Sequence, residues 1–195
     1  DNKIYNNAIL KLVGDEAIIN KNQHSSSTGL TQYYGAGSYT GLCGGNSYYD
    51  IDFIGGGTYT VNADLTVRHN FTITSATFTP STYTLTLNGT TDQTIIMNGQ
   101  SLYGLTLNNT GDAGSDDIIV NGDIDINGNL TITDGDLDLN TYDPNITLAG
   151  NLSIAANGSI DIGTGNFTFD GASLQTVSSN DTSFYQIGRA SCRER

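Results

Sequence analysis

The chain has 195 residues, 24 of them Gly and only two Pro, with 14% charged residues and a formal net charge of −13. So acidic a surface repels phosphate backbones and anionic headgroups, which argues against nucleic-acid binding and membrane association. The charged fraction lies below the roughly 25% of ordinary domains, yet 36% of residues are hydrophobic, which points to short strands joined by tight turns and away from disorder.

The chain starts at Asp1 without an initiator Met or a signal-like apolar run, so its true N-terminus is expected to be missing or processed. Residues 1–46 read as an irregular or capping segment. Ala8 to Lys21 suits a strand pair or a short capping helix, and Ser25 to Gly45, which holds His24's Ser-rich neighbourhood, suits an irregular loop. Residues 47–186 are repetitive, with long units near 47–100 and 101–182 and the start of a third at 183. Ser47 to Phe53 matches Ser101 to Leu107 at an offset of 54. Asn62 to Val67 and Asn70 to Thr74 match Asn121 to Ile126 and Asn129 to Thr133 at 59, the jump placing an insertion near Asp112 to Asp116. Leu87 to Ile95 matches Phe169 to Val177 at 82. The last nine residues, Ile187 to Arg195, hold three of the seven basic residues and one of the two cysteines. They spell what a common short-read sequencing adapter encodes in one frame, and are read as an artefact of a metagenomic fragment, excluded from fold reasoning. Without them four basic residues face nineteen acidic ones, a net charge of −15. Cys43 is then alone, which leaves no internal disulfide and no Cys-based zinc site. No stretch approaches the ~18 apolar residues of a membrane helix.

A shorter period runs inside the long units. Gly128-Asn-Leu-Thr-Ile resembles Gly150-Asn-Leu-Ser-Ile at an offset of 22, and the long offsets 82 and 59 differ by 23. Apolar-polar-apolar triplets recur at Leu105–Leu107, Ile124–Ile126, Leu130–Ile132, Leu137–Leu139, Ile146–Leu148, Leu152–Ile154, Ile160–Ile162 and Phe167–Phe169. Alternation puts both apolar members on one side, and the Asn-Gly, Asp-Gly and Gly-Asn pairs between triplets tolerate sharp corners. The predicted fold is all-β: a right-handed single-stranded parallel β-helix, a solenoid of about 22 residues and three short strands per turn. A β-sandwich, the competing fold, needs longer strands at wider spacing.

Two phrases carry a family resemblance. One runs from Gly89 to Asn109, Asn-Gly-Thr-x-x-Gln-Thr-Ile followed by Leu-Tyr-x-Leu-Thr-Leu-Asn-Asn; the other is Asn127 to Gly135. Over residues 47 to 186 the chain resembles the repetitive Thr/Asn/Gly-rich, adhesin-like surface proteins of Bacteroidota. The resemblance implies export to the extracellular space or the outer-membrane surface, and it implies architecture more than activity.

Candidate chemistry is sparse. Gly111 to Ile119 approximates a calcium-binding nonapeptide, in which carboxylates of successive turns share Ca²⁺, so Asp112, Asp116 and Asp117 are the candidate metal ligands. Only one copy is present, and a solvated loop is the plainer expectation. Tyr33 and Tyr34 lie outside the repeat and are candidate glycan contacts, since aromatic rings stack on sugars. Tyr49, Tyr103 and Tyr185 occupy equivalent positions and read as structural. A hydrolase would require converging carboxylates, one with a raised pKa, and a lyase a basic residue. Arg68-His69 is the one basic-plus-imidazole pair and is expected to face solvent at a turn. No nucleophile elbow, paired-His metal motif or phosphate loop is present. The expectation is a non-catalytic structural or adhesive segment whose partners are glycans or a host or neighbouring cell surface, stacked on further repeats of its own chain. The alternative is a stretch of a β-helix polysaccharide lyase or glycoside hydrolase.

Overall fold

A computed structural model describes residues 7–17 and 28–179. Among them there is no helix, and about eight turns of about 21 residues stack in parallel to form a β-solenoid of the β-helix type. Three strand columns form its walls. The first face stacks β1 (Ile9–Leu12), β2 (Leu30–Tyr33), β5 (Asp50–Phe53), β8 (Phe71–Ile73), β11 (Gln93–Ile96) and β14 (Asp117–Val120), then the second halves of β16 (Leu130–Asp138) and β18 (Leu152–Asp161). The second face holds β3 (Ser38–Thr40), β6 (Thr58–Thr60) and β9 (Thr77–Thr79), followed by a separate ladder of β12 (Ser101–Leu102), β15 (Ile124–Ile126), β17 (Ile146–Leu148) and β19 (Phe167–Phe169). The third face stacks β4 (Ser47–Tyr48), β7 (Leu65–Val67), β10 (Thr84–Leu87), β13 (Gly104–Asn108), the first halves of β16 and β18, and β20 (Val177–Ser179). The tail 187–195 and the start of the third unit at 183 lie outside the described residues.

The expected triplets form strands, but two pairs of them merge, Leu152–Ile154 with Ile160–Asp161 in β18 as well as the pair in β16. Leu130–Ile132 and Leu137–Asp138 belong to a single bent strand, β16, whose register shifts between Ile132 and Asp134 at the corner between faces. Turn length also varies more than the 22-residue period implies. Leu30 pairs Asp50, 20 positions on, whereas Gln93 pairs Ile118, 25 positions on. The corner loop after β13 absorbs the surplus. The parallel stacking also reaches into the segment read as irregular or capping. There β1 pairs β2, β2 pairs β5 and β3 pairs β6 in register. Its inward residues mix Leu12 and Leu42 with Thr31, Tyr33 and Cys43, which hid the alternation.

Inward residues of successive turns sit on one another. Leu65, Leu85, Leu105, Leu130 and Leu152 make one ladder and Val67, Leu87, Leu107, Ile132 and Ile154 the next, all buried. Each contributes roughly 1.5–3 kcal/mol by leaving water. Toward the N-terminal end the interior widens to take Tyr33, Phe53, Tyr59, Phe71 and Phe78, with ring centroids 5.2–5.9 Å apart.

Corners are held by side chains. The backbone N–H of Asn70 donates to Asp50 Oδ1 of the preceding turn, and that of Thr94 to Asn70 Oδ1, both at 2.8 Å. Elsewhere Asn145 N–H donates to Asp123, Asn166 to Asn145, Asn151 to Asn129 and Thr176 to Asn151. In every case the later turn donates to the earlier one, at the residue just before or at a strand start. The Gly preceding that Asn is equally constrained, since a Cβ on Gly150 would lie 2.2 Å from the Gly128 carbonyl oxygen.

The long copies do not stack on each other. Leu85–Leu87 lie in β10 on the third face, but their counterparts Phe167–Phe169 form β19 on the second. Likewise Ser47–Phe53 supplies the third and then the first face, and Ser101–Leu107 the second and then the third. Counting β16 and β18 twice, the offsets 54 and 59 span eight strand positions and 82 spans eleven, so their difference is three strands, one turn. The copied element is a strand with its corner, which serves any edge of the coil. The shared Gln shows how. Gln93 Oε1 accepts from Gly89 N–H at 2.8 Å, while its Nε2 donates to the Val67 and His69 carbonyls below. Gln175 repeats this with Gly171, Leu148 and Gly150 at a different corner. Gln93 is fully buried, so Gln93→Ala strands the Gly89 N–H and the His69 carbonyl, the Val67 carbonyl keeping the Asn88 N–H, and at ~1–3 kcal/mol per orphaned group should cost about 2–4 kcal/mol. Urea unfolding of the full chain measures this, and Gln175→Ala, partly exposed and so rescued by water, should cost less.

Candidate functional site

The first face carries a run of carboxylates on its outer side. Asp117 pairs Asp136 across adjacent turns, and Asp138 pairs Asp161. Burial raises the Asp117 carboxyl above its ordinary range, and the charges of Asp92, Asp136, Asp138 and Asp116 add to it. Asp136 is raised by burial and by Asp161, Asp116 and Asp138, against the hydrogen bond from Ser159, and its Oδ1 is buried without a hydrogen-bond partner. Asp138 is spoken for as a corner cap, accepting from the N–H groups of Asn140 and Thr141 and from the Thr141 hydroxyl.

The proposed calcium ligands are not brought together as a set. Asp112 is exposed, and its carbonyl accepts from Ser115 N–H. Asp116 closes its own loop by accepting from Gly114 N–H, and Asp117 starts β14, its N–H donating to Asp92 one turn below. The solenoid assigns these neighbours to loop capping and strand pairing, so their sequence spacing does not translate into a shared cage. Among the described residues no group of three or more His, Cys, Asp or Glu side chains is placed to hold a metal.

Tyr33 requires a correction. It is fully buried, its hydroxyl 2.9 Å from that of Tyr48 and accepting from Gly44 N–H, so it is no surface contact. Strand alternation separates it from Tyr34, which is 48% exposed. Around Tyr33 lies a polar knot within the apolar interior: Tyr48 donates to the Gly45 carbonyl, and Cys43 Sγ donates to Glu16 Oε2 at 3.1 Å. Burial, then Glu16, pushes the Cys43 thiol up to about 11. Burial raises Tyr33 and Tyr48 further still.

His69 is partly buried where solvent exposure was expected. Its Nδ1 lies 2.7 Å from Asp50 Oδ1, and its ring stacks on Tyr49 with centroids 5.0 Å apart and planes at 16°. Arg68 remains exposed. The 20-residue register of this turn brings the Asp50 corner under the His69-Asn70 corner. That offset, matching no 22-residue phrase, was the signal overlooked in the sequence.

A groove of about 260 Å³ opens at the corner between the first and second faces, lined by Gly99, Gln100, Asp123, Ile124, Asp125, Asn145 and Thr147. It lies where the second face is interrupted. β9 and β12 share no ladder, and Gln100 Oε1 accepts from Phe78 N–H at 3.2 Å across the gap. Gly99, at φ +76°, has nothing within 4 Å of where a Cβ would lie. Backbone and side-chain hydrogen bonds from Asn145 hold the Asp123 carboxyl below its usual range. The Asn145 amide spans both Asp123 oxygens at 3.2 Å, and the Thr147 hydroxyl donates to Asp125 Oδ1 at 2.8 Å. Tyr142, 55% exposed, stands three residues before Asn145 in the same corner loop. Sequence reasoning missed this set because Gln100 precedes Thr147 by two turns.

Compared with known proteins, the chain matches no family model, no curated sequence and no solved structure. Among the described residues no helix is long and apolar enough to cross a membrane.

Two outcomes follow from these environments. A carboxyl raised in the folded state costs stability while ionised, and that cost disappears as pH falls through the raised value toward the ordinary ~3.9. Asp136→Asn should therefore stabilise the chain at pH 7, by a margin that shrinks as denaturation is repeated down to pH 4. Second, a buried thiol raised to about 11 is almost wholly protonated at pH 7.4. In a Cys192→Ser chain, a thiol reagent should label Cys43 only after denaturant is added.

Proposed function

We propose that this chain is a non-catalytic structural and adhesive repeat segment of a secreted or cell-surface bacterial protein. The observation that carries the reading is the parallel stack, in which most corner side chains and the inward ladders are used in holding turn to turn. About eight turns at ~4.8 Å each give a stiff rod roughly 38 Å long, and further turns add without altering those before them. Its outer positions are Thr, Asp, Asn and Ser, a wettable surface with few cations, suited to neutral hydroxyl-rich partners. The likeness of its phrases to adhesin-like proteins of Bacteroidota supports the same reading.

One observation favours a second reading, a portion of a polysaccharide lyase or glycoside hydrolase. Asp117 and Asp136 occupy paired positions on adjacent turns, and both carboxyls are raised, which is how a general acid is prepared. A single assay separates the two. The full chain is immobilised, exposed to a panel of neutral and acidic polysaccharides, and both retention and products are measured. Retention without new reducing ends or unsaturated products is the expected result. Product formation abolished by Asp117→Asn or Asp136→Asn would establish the enzyme and overturn the adhesive reading.

A further inference from the structure

We infer that the groove between the first and second faces is a binding site for a neutral sugar residue of a glycan chain, an assignment that rests on the adhesive reading and gives it a location. The argument begins with the hydrogen bonds left over. Both oxygens of Asp123 accept from the Asn145 amide, and Asn145 Oδ1 accepts from the backbone and side-chain N–H groups of Asn166. Asp125 uses Oδ1 for Thr147, and Gln100 uses Oε1 for Phe78. Without a protein partner are the acceptor Asp125 Oδ2 and the donor Gln100 Nε2, while the carboxylate oxygens already bonded keep spare lone pairs. A hydroxyl group answers both, since it donates and accepts at once, and a sugar ring offers hydroxyls in adjacent pairs.

The same accounting separates a sugar from a metal ion. A hard cation such as Ca²⁺ takes six to eight oxygens. This groove is lined by only two carboxylates, each already accepting a hydrogen bond, and among the described residues no group of three or more His, Cys, Asp or Glu side chains is placed to hold a metal. Charge sets the class of sugar. Asp123 and Asp125 line the groove, and none of its lining residues is cationic, so uronic acids and sulfated sugars are repelled. The space suits one ring: Gly99 lacks a side chain where a Cβ would meet nothing, and about 260 Å³ falls just below the ~300–1,000 Å³ of sites for larger ligands. Exposed Tyr142 on the same corner adds an aromatic surface for the chain beyond that ring.

The test is titration of the ¹⁵N-labelled full chain with neutral gluco-, manno-, galacto- and xylo-oligosaccharides, with oligogalacturonate and CaCl₂ as controls. At least one neutral oligomer should shift the amides of Gly99, Gln100, Asp125 and Thr147, and oligogalacturonate should not. Asp125→Ala combined with Thr147→Val removes the free acceptor and its partner from surface positions, and should weaken that oligomer's binding about tenfold at unchanged melting temperature, as losing about 1.4 kcal/mol would. Shifts produced by CaCl₂ alone would make this a cation site and overturn the proposal. Binding of neutral glycans that leaves these amides unmoved, or that the double variant does not weaken, overturns the groove but leaves the adhesive reading intact. Absence of glycan binding both here and in the immobilised assay overturns both.

Discussion

The structure depends on one recurring hydrogen bond, in which the N–H at the start of a strand donates to the side-chain oxygen of an Asn or Asp one turn below. A strand's own N–H and C=O groups find partners in the ladder. At a corner the backbone turns away from its neighbour, and donors there would be left unpaired at a cost of about 1–3 kcal/mol each. Asp50, Asn70, Asp123, Asn129, Asn145 and Asn151 supply the missing acceptors. Their direction is always the same, so corners stack with a fixed sense, and the inward ladders of Leu, Ile and Val are aligned as a consequence. Gln93 and Gln175 do the same job with a longer side chain, reaching two carbonyls at once.

This arrangement bears on function by deciding which polar groups remain available. Most outward Asn and Asp residues are committed to their neighbours, so their abundance does not signify a ligand surface. The exceptions gather where the solenoid is irregular. At the break between β9 and β12 a groove opens with an unused donor and acceptor. On the first face below β16, carboxylates of successive turns are forced together and their pKa values rise. The first irregularity suits binding. The second crowds like charges on adjacent turns.

Legibility in the sequence followed the range of the interaction responsible. The triplets, the corner glycines and the Asn before several strands are local, and they were visible as phrases. The same locality explains why the copies recur on different faces, for a strand with its corner carries no information about which face it will occupy. Tyr33 was misplaced beside Tyr34 because two residues outside any recognised alternation look alike, although one enters the core and the other leaves it. Asp112, Asp116 and Asp117 lie close along the chain yet take different partners, the first two within their own loop and the third on the turn below.

The sequence by itself determined the class of fold, since a period of about 22 residues built from apolar-polar-apolar triplets and Gly/Asn corners can bury its apolar side only by coiling and stacking. Only the tertiary structure decided the register between turns, which varies from 19 to 26 residues because corner loops differ in length and the inward ladders must still align. That register paired Asp50 with His69, set Asp117 against Asp136, and assembled Gln100, Asp125 and Thr147 around one groove. Each pairing joins residues roughly 20 to 50 positions apart, a distance over which local sequence preference specifies nothing and only the packing of one turn on the next can choose.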